Sequence, residues 1–276
     1  MTMRLTFIRI SAAALLGPIV AVTPASAAPT ARICAQGRDC AVVAFSPGVI
    51  ATSEPSGLAP LRASALPGFR RVFVDDFRSN YLSNQWSLFA GEPGGDPGAQ
   101  WSPSHVRVSG GVLTLNAWRD AGYGGRWVTG GLCACQHPQT YGAFFVRARL
   151  SGPGATFVGL LWPTMGWPPE VDFTETYGPT SHSMATVHFG SRNAQRHSEV
   201  RVDMTRWHTW GVIWTPRSIT FTLDGVEWGR VSSRSAIPRV PMTLHLQQQT
   251  WCALNYACPS TPESVEIDWV ETFRRL

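Results

Sequence analysis

The chain has 276 residues, with 23 basic against 18 acidic side chains and a formal charge of +5. Every basic residue is Arg, and the arginines are scattered rather than gathered into a stripe, which excludes the footprint of a nucleic-acid surface. The 12 Trp residues suit a carbohydrate cleft, because aromatic faces stack on sugar rings, although most large aromatics must pack in the core.

The beginning reads as an export signal. Arg4 and Arg9 give a basic start, Ile10 to Val22 is an apolar stretch broken by Pro18, and Ala25-Ser26-Ala27 is a small-residue cleavage site. The stretch is short for a membrane span of about 20 residues. No Cys stands at the cleavage point to carry a lipid. Residues 1–27 are therefore expected to be removed, leaving a secreted, extracellular protein with no membrane attachment. Roughly 250 residues then remain, enough for one domain with a substantial core.

Residues 28–68 look like a tail, with Pro47, Pro55, Pro60 and Pro67 among Ala, Ser and Gly and little periodicity. Six cysteines in an exported chain suggest disulfides. They form three local pairs, of which Cys34–Cys40 and Cys252–Cys258 close easily. Cys133 and Cys135 would make a strained Cys-x-Cys bridge, so their pairing is left open. No Cys-x-x-Cys or neighbouring His spacing supports zinc.

From Val72 onward the pattern is of short alternating segments separated by turn residues, with no long helical period. Leu113, Leu115 and Ala117 alternate with Thr114, Asn116 and Trp118. Ile219, Phe221 and Leu223 alternate with threonines, and Asp224-Gly225 turns that strand into Val226 to Val231 as a hairpin. Met242, Leu244 and Leu246 make one apolar face, opposite Thr243, His245, Gln247 and Gln249. That polar face suits either solvent or a polyhydroxylated ligand. Residues 69–276 thus read as one all-β sandwich.

Between these segments lie three acids in six residues, Glu170-Val171-Asp172-Phe173-Thr174-Glu175, flanked by Leu160-Leu161-Trp162-Pro163, Trp167-Pro168-Pro169 and Tyr177-Gly178. No Lys or Arg in this stretch neutralises them, and like charges a few Å apart push one pKa upward. In a strand, Glu170 and Asp172 share a face while Val171 and Phe173 point the other way. Glu175 is out of phase by one residue. A β-bulge absorbing Thr174 returns it to the face of the other two. Two carboxyls on one face, one charged and one protonated, are what a glycosidase needs.

This Glu-x-Asp-x-x-Glu pattern resembles the signature of glycoside hydrolase family 16 in its bulged, laminarinase-like form. Trp101-Ser102-Pro103, Gly111-Val112-Leu113-Thr114-Leu115, Tyr141-Gly142, Val146-Arg147-Ala148-Arg149, Trp207-His208-Thr209, Trp214-Thr215-Pro216, Leu223-Asp224-Gly225 and Ile267-Asp268-Trp269-Val270 follow the family's order. The resemblance covers roughly residues 70–276. It implies a concanavalin A-like β-jelly roll of two curved antiparallel sheets, with a polysaccharide across the concave one.

The resemblance also implies roles. Glu170 is the nucleophile, Glu175 the general acid/base, and Asp172 the group between them that sets the proton's place. Trp162 and Trp167 are candidates for sugar stacking, with core packing a rival for Trp162. His188 occupies a family position on a neighbouring strand. Gln247, on the polar-faced strand, and Arg119, following the Leu113 strand, are further substrate-binding candidates; a surface arginine is the plainer reading of Arg119. Asp268 resembles a residue that can bind a structural calcium on the convex side. No cofactor is needed for the chemistry. The expected activity is retaining endo-hydrolysis of β-1,3- or mixed β-1,3/1,4-glucan by a monomer. An agar- or carrageenan-type galactan hydrolase, a transglycosylase, or a non-catalytic glycan-binding protein on the same scaffold are the alternatives.

Overall fold

The alternating segments pair into two large antiparallel sheets packed face to face. A computed structural model of the chain describes residues 45–276, so the expected signal segment and the Cys34–Cys40 pair lie outside the described residues. One sheet has seven strands, in the order Ala194–Arg201, His182–Phe189, Glu170–Glu175, Thr156–Pro163, Met242–Gln249, Gly131–Cys133 and Ser87–Leu88. The other has nine. Val226–Val231, Ile219–Leu223, His208–Trp214, Gly142–Leu150 and Glu263–Arg275 run in order, and Val112–Asp120 and Phe69–Asp75 share the far side of the last. No helix among the described residues is long and apolar enough to cross a membrane.

The inner faces supply the core. Leu161, Val171, Phe173, Val187, Leu244 and Leu246 of the first sheet meet Leu113, Leu115, Val146, Trp210, Val212 and Ile267 of the second. Val171, Phe173, Leu244, Leu246, Leu113 and Leu115 among them are apolar positions that the alternation marked. The Asp224-Gly225 turn forms as expected, with both residues at positive φ. A side chain at Gly225 would also run into the Phe45 carbonyl, so this hairpin tip needs glycine for two reasons.

The tail expectation is corrected for residues 45–68. Phe45, Leu61 and Leu66 pack with Phe145, Trp269 and Phe273 on the outer face of the nine-stranded sheet. Polar ties hold the segment down: Trp269 Nε1 donates to the Leu58 carbonyl at 2.7 Å, and Leu61 N donates to the buried Glu271 carboxylate at 2.8 Å. The sheet's outer face is apolar at Phe145, Trp269 and Phe273, and a segment with few hydrophobic residues suffices to cover it. Sparse periodicity in the sequence concealed that role.

The structure joins Cys252 to Cys258 and also Cys133 to Cys135.

Candidate active site

The acidic strand carries the expected bulge. Leu160 lies opposite Asp172 and Gly159 opposite Thr174, so Phe173 is skipped on that side. On the other side the register shifts between Asp172 and Glu175, whose partners are Thr186 and Met184. Gly159 makes room for it, since a Cβ there would stand 2.9 Å from Thr174 Cγ2 and 3.1 Å from Phe173. Thr174 is buried and its hydroxyl pairs with Ser183 Oγ at 3.1 Å. The side chain that changes the phase of the strand is thereby satisfied without reaching the surface.

Residues opposite one another in a ladder share a face. The register therefore places Gln195, His188 and Glu170 in one row, His197, Thr186, Asp172, Leu160 and His245 in a second, and Met184, Glu175, Val158 and Gln247 in a third. All three acids are on the face away from the core, with His188 and Gln247 beside them. The polar face of Met242–Gln249 is on this side too, and Leu244 and Leu246 are in the core.

Burial and mutual repulsion set the charges. Asp172 is 3% exposed, its Oδ1 has no hydrogen-bond partner, and burial followed by the charges of Glu170 and Glu175 raises its pKa well above the usual carboxylate range. His188 Nε2 stands 3.3 Å from its other oxygen, and Asn193 holds His188 Nδ1 at 2.8 Å. Glu175 is pushed up to about 7, chiefly by burial and further by the Glu170 charge, while a hydrogen bond with Tyr177 pulls the other way. A carboxyl in that range keeps its proton in mildly acidic solution and can release it during turnover.

Trp167 is half exposed, and its indole Nε1 donates to Glu170 Oε2 at 2.7 Å. Its ring lies nearly parallel to that of Trp162, with centroids 6.4 Å apart, and 5.9 Å from His188. Beyond Trp162, His245 lies 6.3 Å away and Phe89 lies 5.4 Å from His245, so an aromatic floor runs across the strands from the acids. Such a floor, with carboxyls at one point along it, can hold a chain of sugar rings and attack one linkage.

A profile of glycosyl hydrolases family 16 matches residues 96–271. The chain belongs to glycosyl hydrolases family 16. It is 32% identical over 164 residues to an endo-1,3-1,4-beta-glycanase, ExsH, of Rhizobium meliloti, an alignment covering 55% of this chain and 34% of that protein. It is 30% identical over 191 residues to a beta-glucanase of Rhodothermus marinus, covering 59% and 65%. The chain thus spans about a third of the first relative's length and just under two thirds of the second's. The laminarinase of Rhodothermus marinus superposes with a TM-score of 0.66 at 25% identity, covering 76% of this chain and 99% of that one. The endo-1,3-beta-glucanase catalytic domain of Thermotoga petrophila gives 0.65 at 17%, covering 75% and 98%, and supports the jelly-roll fold alone.

Two expected residues of this family 16 chain stand apart from the acids. Arg119 lies over the Trp127 ring at 5.3 Å and donates to the Gly125 carbonyl, tied to its own hairpin with no contact to the acidic strand. Asp268, the residue of the calcium expectation, lies on the nine-stranded sheet. Asp268 is fully buried, its Oδ2 accepts from Ser56 N at 3.1 Å, and the charges of Arg147 and Arg78 act on it. Its Oδ1 has no hydrogen-bond partner, and neither do the oxygens of buried Glu54, which pairs with Arg78, whereas calcium takes about 6–8 oxygens. Arg147 and Arg78 already bring positive charge to this carboxylate, although burial outweighs them.

Tyr177, Tyr256 and Trp251 were not foreseen. Tyr177 follows the bulge directly, and its ring lies 6.3 Å from Tyr256, which stacks on Trp251 at 5.4 Å. Tyr256 sits inside the Cys252–Cys258 loop. The sequence signals were a Tyr two residues past the last acid and an aromatic pair around a short disulfide.

Proposed function

We propose that this chain is a secreted, retaining endo-glycosidase that hydrolyses β-1,3- or mixed β-1,3/1,4-glucan. The bulge carries the reading, because it brings Glu175 onto the face of Glu170. Retaining enzymes need two carboxyls about 5–5.5 Å apart on one side of the scissile bond. In this reading Glu170 attacks the anomeric carbon while Glu175 gives its proton to the departing oxygen. Trp167 fixes one oxygen of Glu170, leaving the other to form the glycosyl–enzyme bond. Protonated Asp172 hydrogen-bonds Glu170. Once the Glu170 charge is consumed in that bond, one of the influences raising the Glu175 pKa is gone, and Glu175 takes a proton from water.

Trp162, Trp167, His188 and Gln247 bind the sugar chain in this scheme, and no metal or organic cofactor takes part. The protein acts as a monomer on a polysaccharide. Reducing-sugar release from laminarin, lichenan, agarose and carrageenan tests the reading. Turnover of laminarin or lichenan supports it, and turnover of agarose or carrageenan alone overturns the choice of glucan.

A further inference from the structure

A cavity of about 490 Å³ opens at one end of the nine-stranded sheet, outside the row of acids. Arg217 enters it from the turn after His208–Trp214, and Arg234 and Arg239 from the segment following Val226–Val231. Tyr141, Pro216, Ser232 and the buried Ile237 complete the lining, and no carboxylate faces in. The walls are held by backbone ties. Thr215 N donates to the Ser218 carbonyl at 2.8 Å, Ala236 N to the Ser233 carbonyl at 2.9 Å, and Trp214 Nε1 to the Pro238 carbonyl at 3.1 Å. Tyr141 packs edge-on against Trp214 at 5.2 Å.

Elsewhere the chain sets arginines against acids, as in Arg71–Glu271, Arg149–Glu266 and Arg230–Glu227. The three cavity arginines have no ion pair and no side-chain hydrogen bond within the described residues. Arg274 and Arg275 end the long strand at the same end of the sheet, where Phe273 pairs with Ala143 beside Gly142 and Trp214. Positive charge is thus concentrated around a concave surface with nothing opposite it. Concave, low-dielectric walls focus such a field. Guanidinium forks match planar or tetrahedral oxyanions with paired hydrogen bonds.

We propose that this cavity binds a carboxylate, sulfate or phosphate group carried on a polysaccharide. Continuity with the cleft favours a polymer over a free ion. Arg239 lies two residues before Pro241, whose carbonyl accepts from Thr164 N at 3.0 Å, and Thr164 directly follows the strand of Trp162. The segment that carries Arg239 is thus tied directly to the strand that carries Trp162. The choice of a polymer rests on the glucan-cleft reading, whereas the anion site does not.

Isothermal titration of the whole protein at low salt, with sodium sulfate, dextran and dextran sulfate, tests the proposal. Saturable binding of sulfate at one site per chain is expected, with dextran sulfate at least tenfold tighter and dextran silent. Arg217→Gln, Arg234→Gln and Arg239→Gln should each weaken binding about tenfold, the loss of one charge-assisted hydrogen bond. Arg107→Gln, an exposed arginine on another strand, should leave it unchanged. Equal weakening by Arg107→Gln, or binding that never saturates, would show diffuse screening and overturn the site. Equal affinity for sulfate and dextran sulfate would overturn the polymer. Intact anion binding in a protein inactive on every glucan would count against the cleft reading alone.

Discussion

The indole N–H of Trp167 points at Oε2 of Glu170, 2.7 Å away, across the two prolines that separate them in the chain. From the sequence, Trp167 is expected only to stack on a sugar ring. The hydrogen bond adds a second role, since a donor on the nucleophile fixes which oxygen is free to attack. The two roles separate by substitution. Trp167→Phe keeps a flat ring and deletes the donor, and a bond to a charged group accounts for about 1.5–3 kcal/mol. A fall in kcat of roughly 10- to 100-fold is expected, with melting temperature nearly unchanged because the ring is 46% exposed. Trp167→Ala should lose more in kcat/KM, through the stacking surface as well. A Phe variant as active as the parent would leave stacking alone, and a low-melting variant with normal kinetics would make Trp167 structural.

Glu175 predicts the pH dependence. Its pKa rises from an ordinary 4.5 to about 7 because burial disfavours the charged form. The protonated form is the working acid, so kcat/KM should fall as pH rises past about 7. The stability sign follows from the same shift. Between pH 4.5 and 7 the folded protein holds this proton and the unfolded chain has lost it, so stability declines as pH rises through that window. Glu175→Gln should flatten this part of the stability curve. Tyr177→Phe removes a hydrogen bond that holds the pKa down, and should move the alkaline limb of kcat/KM upward. A limb that moves downward instead would assign that titration to another group.

The Cys252–Cys258 bridge closes a loop bearing Tyr256, which packs on Tyr177 beside the acid/base. In the chain-entropy picture so short a loop accounts for about 2–3 kcal/mol. A Cys252→Ser, Cys258→Ser double variant should lose that much in denaturant unfolding, while its jelly-roll circular dichroism persists. Unchanged stability would show that packing, and not the covalent bond, holds the loop.

The position of Asp268 yields a prediction about calcium. With Arg147 and Arg78 acting on the carboxylate, a chelator should leave the melting temperature where it is. Arg147→Met should lower stability by about 3–5 kcal/mol, the cost of stranding a buried charge. A large fall in melting temperature on chelation would restore a metal to this site.

The strands and the acidic face were legible because both depend on period. Phe173 could be assigned to the core and Glu175 to the cleft once an extra residue was allowed at Thr174, and Gly159 across the ladder is the residue that permits it. The hairpin at Asp224-Gly225 was readable for the same local reason. What escaped notice depends on contacts between distant segments. Ser56 reaches Asp268, and Leu61 reaches Glu271, across more than 200 residues of chain. No local pattern announces that a proline-rich segment will cover a sheet. Tyr256 meets Tyr177 only because a disulfide loop folds back over the bulge, and Arg119 turns to Trp127 because its own hairpin offers a nearer partner.

The central claim is that Glu170 and Glu175 work as a retaining pair. Glu170→Gln should abolish turnover with the fold intact, but loss of activity alone does not identify roles. The direct measurement is the product formed by Glu175→Ala from an activated β-glucoside in the presence of azide. With Glu170 still able to form the glycosyl–enzyme and no base left to exclude the anion, azide should restore part of the rate and the product should be the β-glycosyl azide. An α-glycosyl azide, or full activity of the variant without azide, would contradict the assignment.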